Sequence, residues 1–306
     1  MASRYPLIVF LGLFLIGCRP ATPPPAAAPT VDVEATATAA LPTPGDLARS
    51  IHNAEYQLGL PNSLQVVELS NGSFEQGTTP GGADYISVKV TDFAASGDLD
   101  GDGSEETAAL ISENYGGTGV FVFLAIYSNT GSAPEFVTSA IVDDRPQLNS
   151  LSIEDGEVFL DATIHGPDEP MCCPTLQTTR HYRMVNNQLD MTDFTTFTPD
   201  GRPRTITIEA PAPGAEVFST VQIRGSVAIA PFENNLTYSI KDVVGVELSR
   251  GAIGVDSAEP GTSGTFEAQI PIGNILSNAV VILEVQDISA ADGSLLAMDS
   301  VELVVK

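Results

Sequence analysis

Hydrophobic residues change their spacing three times along this chain. Residues 5–17 form one continuous apolar run, and residues 19–45 carry almost no bulky apolar side chain. Leu47, Ile51, Ala54 and Leu58 then fall at helical spacing, with Asp46 placed to cap them, and predict one short helix. Beyond it the pattern turns to stretches rich in Val, Ile, Phe and Thr, with Asn-Gly, Asp-Gly or Gly-Gly in several of the gaps. Strands are predicted over 63–69, 85–91, 107–112, 119–127, 135–142, 150–153, 157–163 and 177–185. The segment 120–127 is apolar throughout, as a central strand buried on both faces requires.

From residue 204 onward the alternation is clean. Ile206/Ile208, Val221/Ile223, Leu236/Tyr238/Ile240, Phe266/Ala268/Ile270, Val281/Leu283/Val285 and Val301/Leu303/Val305 each place apolar residues on one face. About seven or eight short strands of this kind in a region of domain size predict a two-sheet sandwich. The region has no Cys and no Trp, so it lacks the inter-sheet disulfide and packing Trp of antibody domains. The expected fold is mainly β. An N-terminal α+β module of strands and one short helix over 46–198 precedes an immunoglobulin-like β-sandwich over 204–306, with a turn-rich hinge at 199–203.

The residues that carry the sandwich pattern also carry a resemblance. Pro211-Ala212-Pro213-Gly214-Ala215-Glu216-Val217 is followed by Ser219, Val221, Ile223 and Gly225, then by Phe232-Glu233 ahead of Leu236. Val281-x-Leu283-x-Val285-x-Asp287 and Asp292-Gly293 continue it. This arrangement resembles the immunoglobulin-like domain of bacterial spore-germination proteins. The resemblance implies a fold and a cell-envelope setting, and its turn and strand residues imply no activity. The first module, through Gly97-Asp98-Leu99-Asp100-Gly101-Asp102-Gly103, the Gly-Gly-Thr-Gly at 116–119 and the His-Gly-Pro and Met-Cys-Cys-Pro segments at 165–174, resembles uncharacterised bacterial lipoprotein domains.

The start of the chain has its own signature. Arg4 precedes the apolar run, which is too short to span a bilayer, and Leu15-Ile16-Gly17-Cys18 looks like a lipobox. The expectation is a lipoprotein signal peptide over 1–18 with Cys18 as the lipid anchor, held extracytoplasmically by two or more acyl chains. Residues 19–45, with seven prolines among Ala and Thr, cannot bury a core. They are expected to form a semi-rigid stalk reaching at most about 80 Å, at roughly 3.1 Å per residue. Net charge is −26 with only three lysines, which disfavours nucleic acid and repels anionic headgroups.

Two segments carry candidate chemistry. In Asp98-Leu99-Asp100-Gly101-Asp102-Gly103-Ser104-Glu105-Glu106, carboxylates at the first, third and fifth positions can converge on a hard cation. Gly103 permits the turn, Ser104 offers its carbonyl, and Glu106 can complete the shell. Ala109 stands where an EF-hand needs its bidentate Glu, so a structural calcium loop between strands is the expectation, against a plain solvated acidic turn. Candidate metal ligands are Asp98, Asp100, Asp102, Ser104 and Glu106. The second segment is Cys172-Cys173. With Cys18 consumed by the anchor, each thiol has only its neighbour to oxidise with, through a vicinal disulfide across Cα atoms about 3.8 Å apart. Free buried thiols are the alternative.

There is no Gly-x-Ser-x-Gly elbow and no His-Glu-x-x-His helix, and only three histidines occur. The expectation is therefore a non-catalytic envelope lipoprotein that binds or displays, toward a glycan or protein at the envelope. The rival is an envelope hydrolase that joins the acidic loop to residues 165–173 in one pocket, or a redox-responsive surface protein built on Cys172 and Cys173.

Overall fold

The computed structural model describes residues 50–60, 65–129, 133–272 and 275–306. The expected signal, Cys18 anchor and stalk lie outside the described residues. A single 3-10 turn, Ile51–Asn53, opens the described chain and is followed by nineteen strands. The short helix expected around Ile51 to Leu58 is corrected to this one turn. Ala54 is extended at φ −94°, ψ 164°, and β1 (Glu55–Gln57) pairs antiparallel with β2 (Val66–Glu68). Ala54, Tyr56 and Leu58 are all buried, so they serve the core at period two, and the helical spacing of Ile51, Ala54 and Leu58 was coincidental.

Next come β3 (Ser73–Gln76), β4 (Ile86–Gly97), β5 (Glu106–Asn114), β6 (Phe121–Ser128) and β7 (Glu135–Asp144), an antiparallel sheet in chain order. One face packs beneath the β1–β2 hairpin through Ile51, Tyr56, Val67, Ala109, Ala125 and Tyr127. The other packs on a second layer made from β8 (Gln147–Glu154), β9 (Glu157–Ile164), β10 (Leu176–Val185) and β11 (Gln188–Thr196). Here Leu110, Leu124 and Ile126 meet Leu160, Ala162 and Tyr182. Burial on both faces explains why β6 is apolar along its length, as its sequence required. Asp155 and Gly156, both at positive φ, make the two-residue turn that joins β8 to β9.

The C-terminal sandwich uses β12 (Ile206–Ala210), β13 (Ala215–Val217), β14 (Thr220–Val227), β15 (Asn235–Asp242), β16 (Glu247–Ser257), β17 (Gly264–Pro271), β18 (Val280–Ile288) and β19 (Leu295–Val305). One sheet runs β12-β14-β17, and the other places β18 between β15 and β19. Strand β16 belongs to both, pairing β15 along residues 247–254 and β17 along residues 255–257. Val221, Ile223, Leu236, Ile240, Leu283, Val285 and Leu303 fill the space between the sheets.

The two regions share a sheet. Strand β11 pairs antiparallel with β19 through Asp193↔Asp299, Phe194↔Met298 and Thr195↔Ala297. The Thr196 hydroxyl donates to the Leu296 carbonyl at 2.7 Å, and the Ser300 hydroxyl to the Thr192 carbonyl at 3.0 Å. The segment expected as a hinge is a closed loop: the Thr198 N–H donates to the Arg202 carbonyl at 2.9 Å and the Arg204 N–H to the Thr196 carbonyl at 2.9 Å.

Two carboxylates face each other at this junction. Burial, with the Asp299 charge next, pushes Asp193 up to about 7, and burial pushes Asp299 up to about 6. Both therefore bind protons more tightly in the folded state. Their stabilising contribution is full below the ordinary carboxylate range and is lost as pH rises through about 6 to 7. Asp193→Asn is expected to raise stability at pH 8 by on the order of 2 kcal/mol, or about 5 °C in Tm, with no gain at pH 4. Melting curves of the variant and parent across pH check this, and a constant difference would contradict it.

Candidate functional site

The acidic loop connects β4 to β5 and is shaped by its own backbone. Asp98 accepts from the N–H groups of Gly101 (2.7 Å) and Gly103 (3.1 Å), one on each carboxylate oxygen. Asp100 accepts from Asp102 N–H at 3.1 Å, and Asp102 from Ser104 N–H at 2.7 Å. Gly101 and Gly103 both sit at positive φ, which lets the chain turn twice within this span. The result draws one carboxylate oxygen each of Asp98, Asp100 and Glu106 to within 4.8 Å of one another. The Asp102 carboxylate is not part of that group. Glu106 is buried at the start of β5 and accepts the Leu99 N–H at 2.9 Å. Burial raises its pKa, the Leu99 hydrogen bond opposes the shift, and the charges of Asp100, Asp102 and Asp98 add to it. Three like charges held this close are what a bound divalent cation relieves, and all three donors are the hard oxygens that calcium prefers.

A shallow cleft of about 340 Å³ adjoins Asp100 and Glu106, with Glu135, Phe136, Met184 and Asn187 among its walls. No residue of the 165–173 segment lines it. Strand register explains why. Glu106 pairs with Ser128, and Ser128 with Glu135, at one end of the five-stranded sheet. Glu113 pairs with Phe121, and Phe121 with Asp144, at the other. Asp143 holds His165 at that far end, so roughly 20 Å of strand, at about 3.3 Å per residue, separates the two segments.

The far end is a self-contained polar cluster. Asp143 accepts both the backbone N–H of His165 (2.7 Å) and, at 3.0 Å, its ring Nδ1. With that proton on Nδ1, the buried Nε2 is an acceptor without a partner among the described residues. Arg145 grips Asp144 with two contacts of 3.0 and 2.8 Å, and these, with the Val120 N–H, hold Asp144 below the usual carboxylate range despite its burial. Glu169 accepts the Thr175 hydroxyl and the N–H groups of Gly166 (3.0 Å) and Thr175 (2.8 Å), which lowers its pKa and ties the loop closed. Within this loop Cys172 and Cys173 are joined to each other, with Cα atoms 3.8 Å apart.

Sequence reasoning missed the buried polar groups inside the strands. Glu113 is fully buried in β5 and takes hydrogen bonds from Tyr56 (2.5 Å), the Gly59 N–H (2.8 Å) and Tyr115. Arg180 crosses from β10 to the Val142 carbonyl of the facing sheet at 3.0 Å and lies 5.4 Å from the centroid of Phe194. Glu284, in β18, pairs with Lys241 at 2.5 Å and takes a hydrogen bond from Gln286 at 2.6 Å. For Glu284 a charged residue inside a largely apolar strand was the available signal; Arg180 sits in a polar strand and gave none. Glu113 and Glu284 accept from several donors, and Arg180 donates from Nη1 while its Nε stays unpartnered among the described residues, so these groups act as ties in the core.

Residues 205–294 match the family described as the immunoglobulin-like domain of bacterial spore germination. The match spans β12 to β18 and stops before β19, the strand that also carries the junction to β11. No curated protein matches the chain. The C-terminal region is thus immunoglobulin-like by sequence and by structure, and that fold fits a non-catalytic role.

Alkylation of the denatured chain without reductant is expected to leave Cys172 and Cys173 unlabelled, with both labelled once reductant is added. Labelling before reduction would show that they are free thiols.

Proposed function

We propose that this chain is a cell-envelope lipoprotein, anchored to a membrane through Cys18, that binds or displays at the cell surface without catalysing a reaction. The observation that carries this reading is the separation of its two chemistry-bearing segments. The acidic loop and the 165–173 loop occupy opposite ends of one sheet, and each has its carboxylates engaged by its own backbone. A hydrolase needs an acid and a base converging on one bond. The immunoglobulin-like region supports a binding role, and the lipobox and proline-rich stretch of the sequence support anchoring on a stalk. Among the described residues no helix is long and apolar enough to cross a membrane. The partner is a glycan or protein of the envelope, and the net charge of −26 argues against nucleic acid.

The acidic loop serves this role as a structural calcium site. Asp98, Asp100 and Glu106 would hold the ion, which would pin the β4–β5 connection and neutralise the carboxylate repulsion that adds to the burial-driven rise in the pKa of Glu106. Calcium binding to the folded state alone must raise its stability, by about 2.7 kcal/mol at a hundredfold excess over Kd. Thermal unfolding of the full chain is expected to shift upward by several degrees in calcium relative to chelator. Asp100→Ala should abolish that shift, and identical melting in calcium and chelator would reduce the loop to a solvated turn. The non-catalytic reading has its own test. Incubation of the purified chain with cell-wall glycan is expected to leave the chain bound and release no soluble fragments. Fragment release abolished by one carboxylate substitution would overturn it.

A further inference from the structure

The C-terminal sandwich carries a cleft of about 580 Å³ at the pole where the 229–235 connection meets the end of β18. Its walls hold three charged residues, the exposed Glu233 and a pair of opposite charges deeper in, Asp287 and Arg204, that make no ion pair with each other. Asp287, near the end of β18, is only 7 % exposed, and among the described residues no donor hydrogen-bonds its carboxylate. Arg204, just ahead of β12, lines the same cleft, and among the described residues its guanidinium makes no hydrogen bond or ion pair. The two feel each other's charge without contact: burial raises the Asp287 pKa and Arg204 pulls it back.

The remainder of the lining is mostly apolar, with Ile229, Pro231, Ile288 and Leu296, and Phe232 stands at 85 % exposure beside it. An aromatic ring left in water next to a buried, unpaired carboxylate is a costly arrangement for packing alone. Several buried charges elsewhere among the described residues are given partners, although Asp190 Oδ2 and the Arg180 and Arg183 Nε atoms have none. Glu113, Glu284 and Arg180 each have donors or acceptors supplied by neighbours. Asp287 stands apart from them, because its missing partner is replaced by an opening to the cleft.

We propose that this cleft binds a small apolar zwitterion of the amino-acid or short-peptide class. Its ammonium group meets Asp287, its carboxylate meets Arg204, and its side chain lies against Ile288, Leu296 and Phe232. Each charge then gains the partner that the protein withholds, and the apolar stem is covered by surface that otherwise faces water. The cleft shares no residue with the acidic loop, so the inference is independent of calcium. It supplies a ligand class to the binding role proposed above without relying on the membrane anchor.

The test is calorimetric titration of the full chain at neutral pH with leucine, Leu-Leu, leucinamide and N-acetylleucine. Leucine or Leu-Leu is expected to bind, the better of the two reporting how far apart the charges must sit. Leucinamide lacks the carboxylate charge and N-acetylleucine lacks the ammonium. Each should bind at least about tenfold more weakly, since a hydrogen bond to a charged group contributes enough for that factor. Asp287→Asn should remove the preference for leucine over N-acetylleucine, and Arg204→Gln the preference over leucinamide. The analogue series leaves the protein unaltered, so it stands even if a variant fails to fold. Equal binding of leucine and either analogue, or no binding of either zwitterion, would overturn the proposal. Loss of the ligand in this way would leave the glycan-retention assay of the display role unaffected.

Discussion

Pairing of β11 with β19 is the constraint on which the rest of the architecture depends. Three residue pairs and two side-chain hydrogen bonds join strands that are about a hundred positions apart in sequence. Without that seam β11 and the first part of β19, ahead of the stretch that β13 covers, would be exposed sheet edges, a template for unwanted pairing. With it, the sheet that begins at β8 continues through β19 and β18 into the immunoglobulin-like sandwich. The loop at 198–204 has no slack to swing, because its backbone groups bond to one another and to Thr196. The family match ends at residue 294, one residue short of the strand that makes this seam.

Charge burial follows a consistent economy across the molecule. In a chain of net charge −26, carboxylates inevitably come close together, and the fold treats them in four ways. Glu113, Glu169 and Asp144 are saturated with donors, which makes their ionised forms comfortable. Asp193 and Asp299 are placed opposite one another at the seam and hold protons into the neutral range. Among the described residues Asp98, Asp100 and Glu106 converge with no ion pair to a cationic side chain, and Asp287 opens to a cleft. The last two arrangements are the ones in which an external partner completes the electrostatics, which is why the functional readings rest there.

Much of the fold was legible because strand burial imposes period two. The alternation in Val221/Ile223, Val281/Leu283/Val285 and Val301/Leu303/Val305 gave the sandwich directly, and the unbroken apolar run from Val120 gave the doubly buried β6. Strand β11 escaped because Asp190 and Asp193 interrupt its apolar pattern, and pairing with β19 buries Asp193 at the seam, which raises its pKa. Strand β3 escaped because its four residues are mostly exposed. The helix was misjudged because Ala54 and Leu58, four apart, fit both periods, while Ile51 sits in the preceding 3-10 turn. Only the pairing of β1 with β2, a tertiary event, selects the extended one. Of the acidic loop, the sequence spacing located the turn, while the grouping of Asp98 and Asp100 with Glu106 and the exclusion of Asp102 depend on local backbone hydrogen bonds. The cleft at Asp287 was not legible, since Arg204, Phe232 and Asp287 are brought together only by the sandwich.

Differential scanning calorimetry of the full chain tests the continuous-sheet account most directly. A seam that couples both regions predicts one cooperative transition, with the calorimetric enthalpy equal to the van't Hoff enthalpy. Two resolved transitions, one belonging to residues 204–306 and unaffected by substitutions in β11, would contradict it.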